Sequence, residues 1–128
     1  MKMLLTMVAT LVLAAAASAA QFSDISITEL KSAIETKKVV LLDANGTTSY
    51  QSGHIPGAID YTAVKKDLAK VLPKDKNALV VAYCGGPACG AYQAAAKAAK
   101  DLGYKNVKHL AAGISGWKEA KETIEKAN

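Results

Sequence analysis

Short apolar runs alternate with amphipathic segments along most of this chain. The run at 39–44 (VVLLDA) and the longer run at 78–84 (ALVVAYC) are nearly continuous in apolar residues, which is typical of strands buried on both faces. Weaker strands are predicted at 58–60 and 106–113. Because parallel strands need crossover connections that helices usually provide, the alternation predicts an α/β domain with a mainly parallel sheet.

Helices are predicted between and after these strands. Residues 26–38 carry apolar side chains at helical spacing, and Ser26 with Glu29 has the spacing of a capping box. Further helices are predicted at 62–72, at 91–104 and at 115–128, whereas 47–57 is rich in turn-forming residues.

The first twenty residues are expected to lie outside this domain. Lys2 precedes an apolar run that ends in small residues at Ala17–Ala20, the pattern of a cleaved signal peptide. The alternative is a membrane anchor, but the run is shorter than the roughly 20 apolar residues of a transmembrane helix. We therefore expect a signal peptide at 1–20 and one mature domain at 21–128, exported to a periplasm or secreted, with no membrane contact after cleavage.

Charge adds little to this interpretation. The formal net charge is +5 at pH 7, and all sixteen basic residues are lysines scattered along the helical segments. Since no lysine-rich block is interleaved with aromatic residues, no nucleic-acid partner is expected. A mild preference for small anions is the most that this charge supports.

Both cysteines of the chain lie in one glycine-rich segment, YCGGPACGAY at 83–92. It follows the strongest predicted strand and precedes a predicted helix, so it lies at the sheet edge where α/β proteins bind ligands. A cysteine near a helix N-terminus favours the thiolate. The small residues around it allow backbone N–H groups to surround an anion: Gly85, Gly86, Ala88 and Gly90.

The cysteine pair is open to several interpretations: a disulfide, a metal site, a redox pair, or a catalytic cysteine with a companion. A metal site is disfavoured because two cysteines supply two ligands and a closed zinc site needs four. No metal and no cofactor are expected.

Two motifs resemble the single-domain rhodanese family of sulfurtransferases. GHIPGA at 53–58, after an Asp that ends a strand, is similar to the family's first signature, and 80–120 is similar to its active-site loop, following helix and Gly-Ile-x-x-Trp ending. The resemblance implies a three-layer domain with a five-stranded, mainly parallel sheet flanked by helices. It also implies that Cys84 is a nucleophile carrying sulfur as a persulfide between a small-molecule donor and a thiol or cyanide.

Two positions depart from the family pattern. An Arg is common shortly after the first Asp, where this chain reads Asp43-Ala44-Asn45-Gly46, and the loop often ends in Arg where this chain has Cys89. The second change removes a cation that would bind an anionic donor such as thiosulfate, so weak activity with that donor is expected. Cys89 is interpreted as a disulfide partner, as a thiol that resolves or relays the persulfide, or as a small residue filling the Arg position.

Other polar and aromatic residues near these motifs have structural interpretations. His54 is expected to hold backbone carbonyls, His109 to be a strand residue, and Asp43 to tie a loop by hydrogen bonds. Tyr83 and Tyr92 either line the mouth of the loop or pack, and Trp117 is expected in the core. Two other functions remain alternatives: a thiol–disulfide or polysulfide redox protein with a redox protein partner, and a non-catalytic binding module on the same fold.

Overall fold

The computed structural model describes residues 22–127, so the predicted signal peptide lies outside the described residues. Five strands occur in that range: β1 Ser23–Asp24, β2 Val40–Asp43, β3 Ile59–Asp60, β4 Leu79–Tyr83 and β5 Asn106–His109. Six α-helices accompany them: α1 Ile27–Glu35, α2 Thr47–Ser52, α3 Tyr61–Val64, α4 Leu68–Val71, α5 Tyr92–Asp101 and α6 Gly113–Glu119. None of these helices is long and apolar enough to cross a membrane.

The strands form one sheet in the order β1-β5-β4-β2-β3, and every neighbouring pair is parallel. The prediction of a mainly parallel, five-stranded sheet is confirmed. The residue pattern alone missed β1, because two exposed residues carry no alternation that could reveal a strand. Strand β4 is central and pairs with both β2 and β5, so a residue that follows β4 lies in the middle of the carboxyl edge.

Alternate residues of β4 feed two apolar cores on opposite faces of the sheet. Val80 and Ala82 belong to a core built with α4 and α5, and Val81 and Tyr83 belong to a core built with α1 and α6. All four side chains are fully buried. The molecule is therefore a helix–sheet–helix sandwich of three layers, and Trp117 lies in its core as expected.

The terminal helix is shorter than the predicted 115–128 and ends at Glu119. Lys121 adopts a left-handed conformation with φ 58°. Its N–H donates to the Lys118 carbonyl at 2.9 Å, and the Glu122 N–H donates to the Trp117 carbonyl at 3.2 Å. These two bonds form a Schellman motif, which ends a helix and is usually signalled by glycine. A lysine in that place gives no sequence signal, so the helix was predicted to continue.

The chain after α6 returns across the sheet edge in an extended conformation. Glu125 and His54 exchange backbone hydrogen bonds of 2.8 and 2.9 Å, and the Trp117 indole N–H donates to the Thr123 carbonyl at 2.8 Å. The tail therefore covers the Gly-His-Ile-Pro turn and is not free in solvent.

Three other elements differ from the prediction. The predicted helix 62–72 is divided by a 3-10 turn at Lys65–Asp67, whose residues are exposed and so are not held by packing to α-helical geometry. The turn-rich stretch contains the short helix α2, which Tyr50 stabilises by donating its hydroxyl to the Ala58 carbonyl at 2.8 Å. The strand predicted at 106–113 ends at His109, because Gly113 already begins α6.

Candidate functional site

Cys84 immediately follows β4, and the loop 84–91 connects that strand to α5. The predicted position of the cysteines at the carboxyl edge of the sheet is therefore found in the structure. Cys84 is 2% exposed and belongs to the core beneath α5, whereas Cys89 is partly exposed at the margin of the same core.

The two cysteines are joined by a disulfide. Their Cα atoms are 6.2 Å apart, inside the range that a disulfide spans. The sequence left a disulfide, a metal site, a redox pair and a catalytic cysteine with a companion open, and the structure contains the disulfide. The bridge closes a very short loop and therefore stabilises the fold little by chain entropy. Its main effect is on the reactivity of the two sulfur atoms.

Helix α6 holds the first half of the loop in place. The Ile114 N–H donates to the Cys84 carbonyl and the Ser115 N–H to the Gly85 carbonyl, both at 2.9 Å. N–H groups in the first turn of a helix have no partner within the helix, so the loop satisfies them and is fixed by them. The sequence analysis did not predict this contact. Ile114 belongs to the Gly-Ile-x-x-Trp motif, which was recognised only as a family pattern.

Gly113 allows the helix to approach this closely. A Cβ at that position would lie 2.6 Å from backbone atoms of Gly85 and Gly86, and its φ is +62°. Any side chain would therefore both strain the backbone and push the loop away.

The loop amides differ in whether they have a hydrogen-bond acceptor. The Cys89 N–H is used within the loop, donating to the Gly86 carbonyl at 3.0 Å. Among the residues predicted to bind substrate, Gly85, Gly86, Ala88 and Gly90 have backbone N–H groups that donate to no acceptor within residues 22–127. Four of the five residues predicted to bind substrate therefore have N–H groups without an acceptor in the described range, and the fifth, Cys89, uses its N–H within the loop.

Asp43 and Tyr83 form a buried network beneath this edge. The carboxylate of Asp43 accepts from the Asn45 N–H at 2.8 Å and from the Tyr83 hydroxyl at 2.6 Å. The same hydroxyl accepts from the Ile55 N–H at 3.1 Å. Burial, and then the charge of Asp43, raise the pKa of Tyr83, which keeps the phenol protonated as a donor. Asp43 therefore ties three segments together, as expected, and Tyr83 packs in the core without lining the loop.

The two histidines lie apart and have different environments. The Nδ1 of His54 is 2.8 Å from the Tyr50 carbonyl, and its ring stacks on the Tyr50 ring with centroids 3.8 Å apart. Because a carbonyl only accepts, Nδ1 carries the hydrogen, and His54 holds a backbone carbonyl as predicted. Within residues 22–127 no group of three or more side chains is arranged to hold a metal ion.

His109 ends β5 and stacks on Tyr92, the first residue of α5, with ring centroids 3.4 Å apart. Both rings are buried. Burial lowers the pKa of His109, and the charge of Asp24 opposes that shift. The stacked pair supports the start of α5 from below, so Tyr92 packs and leaves the loop mouth to smaller residues.

A cleft of about 290 Å³ lies near the loop and shares Ile114, whose N–H donates to the Cys84 carbonyl, although no residue of 84–91 lines it. The Asn45 side chain lies 3.8 Å from the position of a Cβ on Gly85. The cleft is lined by three hydroxyl groups, one amide, one cation and two apolar residues: Thr48, Ser49, Ser52, Asn45, Lys118, Gly53 and Ile114. A larger cavity of about 530 Å³, with Lys105 and Val107 in its wall, lies at the opposite, amino-terminal edge of the sheet and does not contact the loop.

Comparisons with known proteins agree with this geometry. The thiosulfate sulfurtransferase GlpE of Shewanella oneidensis is 30% identical over 102 residues, which are 77% of this chain and 95% of that protein. The HTH-type transcriptional regulator Rv0324 of Mycobacterium tuberculosis is 37% identical over 87 residues, or 67% of this chain, but the match spans only 37% of the regulator.

A solved structure shares the fold. The BH2092 protein of Bacillus halodurans superposes with a TM-score of 0.70 at 28% identity, covering 82% of this chain and 77% of that one. The sequence model of the rhodanese-like domain matches residues 26–120, from the cap of α1 to the end of α6. With the parallel sheet and the loop that follows its central strand, these matches show that the chain belongs to the rhodanese-like domain family.

Proposed function

We propose that this protein is a sulfurtransferase or sulfur carrier that moves sulfane sulfur through a persulfide on Cys84. The observation that carries the proposal is the position of Cys84 at the end of the central strand, in the loop where the N–H groups of Gly85, Gly86, Ala88 and Gly90 have no partner within residues 22–127. Two relatives named thiosulfate sulfurtransferase, from Shewanella oneidensis and Pseudoalteromonas translucida, match most of the chain and support the assignment.

The proposed reaction begins from the reduced loop. The Cys84 thiolate attacks the sulfane sulfur of thiosulfate, the S–S bond of the donor breaks, and sulfite leaves with the electron pair. Cys84 then holds a persulfide anion, which the free amides stabilise by hydrogen bonds. Cyanide or a thiol attacks the terminal sulfur and returns the Cys84 thiolate. No metal or cofactor takes part in either step.

Binding of an anionic donor rests on these amides, since Cys89 occupies the place of the loop arginine. Lys118 is the only cation among the residues that line the cleft near the loop, and it forms no ion pair within residues 22–127. An ammonium group on a flexible stem lacks the bidentate geometry of an arginine. We therefore expect weak thiosulfate affinity.

Export completes the proposal. Residues 1–20 have the pattern of a signal peptide, and two cysteines able to form a disulfide suit an oxidising compartment such as a periplasm. N-terminal sequencing of the exported protein is expected to begin at Ala20 or Gln21. Full-length protein with Met1 retained in the membrane fraction would contradict export.

The catalytic proposal is tested with Cys84→Ser and, as the matched control, Cys89→Ser. Each protein is reduced, freed of reductant and assayed for thiocyanate formation from thiosulfate and cyanide. Cys84→Ser is expected to abolish transfer, because an alcohol cannot form the persulfide, whereas Cys89→Ser retains it. Circular dichroism checks that both variants are folded. Wild-type activity in Cys84→Ser would exclude Cys84 as the nucleophile, and failure of both the wild type and Cys89→Ser to form thiocyanate would favour a non-catalytic binding module.

A further inference from the structure

The two sulfur atoms of the loop are bonded to each other but are not equivalent. Cys84 is 2% exposed beneath the loop, whereas Cys89 is partly exposed and its neighbours Pro87, Ala88 and Gly90 are exposed. The half of the loop that begins with Cys84 is fixed by α6. The half with Cys89 has two backbone hydrogen bonds, from the Cys89 N–H to the Gly86 carbonyl and from the Gln93 N–H to the Gly90 carbonyl, and neither reaches α6.

We propose that Cys89 is a resolving thiol, which gives the protein a second activity: the release of sulfane sulfur as sulfide. This inference rests on the proposed persulfide at Cys84. The Cys89 thiol attacks the inner sulfur, Sγ of Cys84, and the bond between that sulfur and the terminal sulfur breaks. The terminal sulfur leaves with the electron pair and takes the Cys89 proton as HS⁻, and the chain is left with the Cys84–Cys89 disulfide.

The geometry for this attack is present in the structure. The disulfide shows that Sγ of Cys89 reaches Sγ of Cys84 within the folded domain, with the Cα atoms 6.2 Å apart. A Cβ on Gly90 would meet no atom within 4 Å, so the chain beside Cys89 has room to move. An arginine at position 89 could not perform this step. The proposed reaction therefore explains why Cys89 stands where the family often has an arginine.

Electron balance then requires an external dithiol. Sulfane sulfur is reduced to sulfide while the two cysteines are oxidised, so a dithiol reductant, a small molecule or a protein, must reopen the bridge. Its thiolate attacks the more exposed sulfur, Cys89, and Cys84 leaves as a thiolate. The N–H groups of Gly85 and Gly86, which follow Cys84 directly in the chain, have no acceptor within residues 22–127 and are available to that thiolate. The second thiol of the reductant then attacks the mixed disulfide and releases Cys89.

The loop 84–91 around Cys89 carries no charged side chain that would attract or repel a protein reductant. The exposed residues beside it are small and uncharged: Pro87, Ala88, Gly90 and Ala91. Small side chains of this kind allow two chains to approach closely enough for a mixed disulfide.

A single-turnover experiment without reductant tests the resolving step. Reduced, desalted wild-type protein is mixed with thiosulfate, and sulfite, sulfide and protein mass are measured. The expected result is one sulfite and one sulfide per chain, with the protein ending as the disulfide. Cys89→Ser is expected to release one sulfite and no sulfide, and to gain the mass of one sulfur atom.

The outcomes separate the two proposals. Sulfite without sulfide from the wild type, or equal sulfide from Cys89→Ser, would overturn the resolving role while leaving transfer through Cys84 intact. The absence of sulfite from both proteins would overturn the persulfide itself, and with it this inference.

The point of entry for the reductant is tested on the oxidised wild type. The protein is incubated with glutathione and iodoacetamide together, so that each thiolate released by glutathione is alkylated before it can close the bridge again. Fragment mass spectra are expected to show glutathione on Cys89 and the alkyl group on Cys84. The reverse distribution would overturn the assignment of Cys89 as the sulfur that is attacked.

Discussion

At the scale of single residues, Gly113 has the clearest consequence for the site. It is remote in sequence from the cysteines, but its missing side chain lets the first turn of α6 donate to the Cys84 and Gly85 carbonyls. The position of the nucleophile therefore depends on a residue with no chemistry of its own.

Gly113→Ala is expected to lower the free energy of unfolding by about 2–4 kcal/mol, since it adds a left-handed strain and a clash with the loop backbone. Gly46→Ala is the matched control: its φ is also positive, at 92°, but no atom lies within 4 Å of the added Cβ. The control should lose about 1 kcal/mol. Urea unfolding of both variants in the same redox state measures the difference. Equal losses would show that the loop backbone moves away from the added Cβ without lowering the free energy of unfolding further.

The cysteine pair illustrates what the sequence could and could not predict about the site. Its place at the carboxyl edge followed from a buried run ending at Cys84 and a helical pattern beginning soon after, because strand ends and glycine-rich turns are local signals. The clamp by α6 depends on two segments meeting in space, and no local pattern encodes that meeting. The family motif contained Gly113 without giving the physical reason for it.

At the scale of elements, the helices were predicted better at their starts than at their ends. Ser26 caps α1 by accepting from the Glu29 N–H at 3.0 Å, as its spacing predicted. The ends of α1 and α6 were missed because lysines, at φ 55° and 58°, take the left-handed position that glycine takes after α5. Both lysines are strained in this conformation, which a residue with a Cβ rarely adopts, and the sequence carries no glycine to mark where these helices end.

Lys121→Gly is expected to raise the free energy of unfolding by about 0.5–1 kcal/mol, because glycine adopts the left-handed conformation without the cost of a Cβ. Lys118→Gly changes the same residue type inside α6 and should lower it by about 1 kcal/mol through loss of helix propensity. Thermal unfolding followed by circular dichroism compares them. A destabilised Lys121→Gly would mean that the lysine side chain itself holds the tail.

At the scale of the whole molecule, the buried His109 makes the stability of the fold depend on pH. Its ring is buried against Tyr92, and burial lowers its pKa below the ordinary value of 6.5. The unfolded chain therefore takes up a proton at a pH where the folded chain does not. Stability from this group is unaffected at higher pH and decreases as pH falls through 6.5 toward the lower pKa of the folded state.

His109→Phe, which keeps an aromatic ring against Tyr92, is expected to remove this contribution. Between pH 7.5 and 5.5 the stability of the wild type should fall relative to the variant, as measured by urea unfolding at each pH. His54→Phe is a poor control, since it loses a hydrogen bond, so the comparison is made between wild type and the one variant across pH. A difference in stability that stays constant with pH would show that His109 titrates alike in both states.

The pairing of β1 with β5 has a consequence for the order in which the chain acquires its structure. The first strand has no partner until residues 106–109 exist, and the cysteine loop has no clamp until residues 114 and 115 exist. Closure over such a separation is slow, because a long stretch of chain must be ordered before the contact forms. A nascent polypeptide therefore keeps β1 unpaired and the cysteine loop without its contacts to α6 until nearly all of the domain has been synthesised.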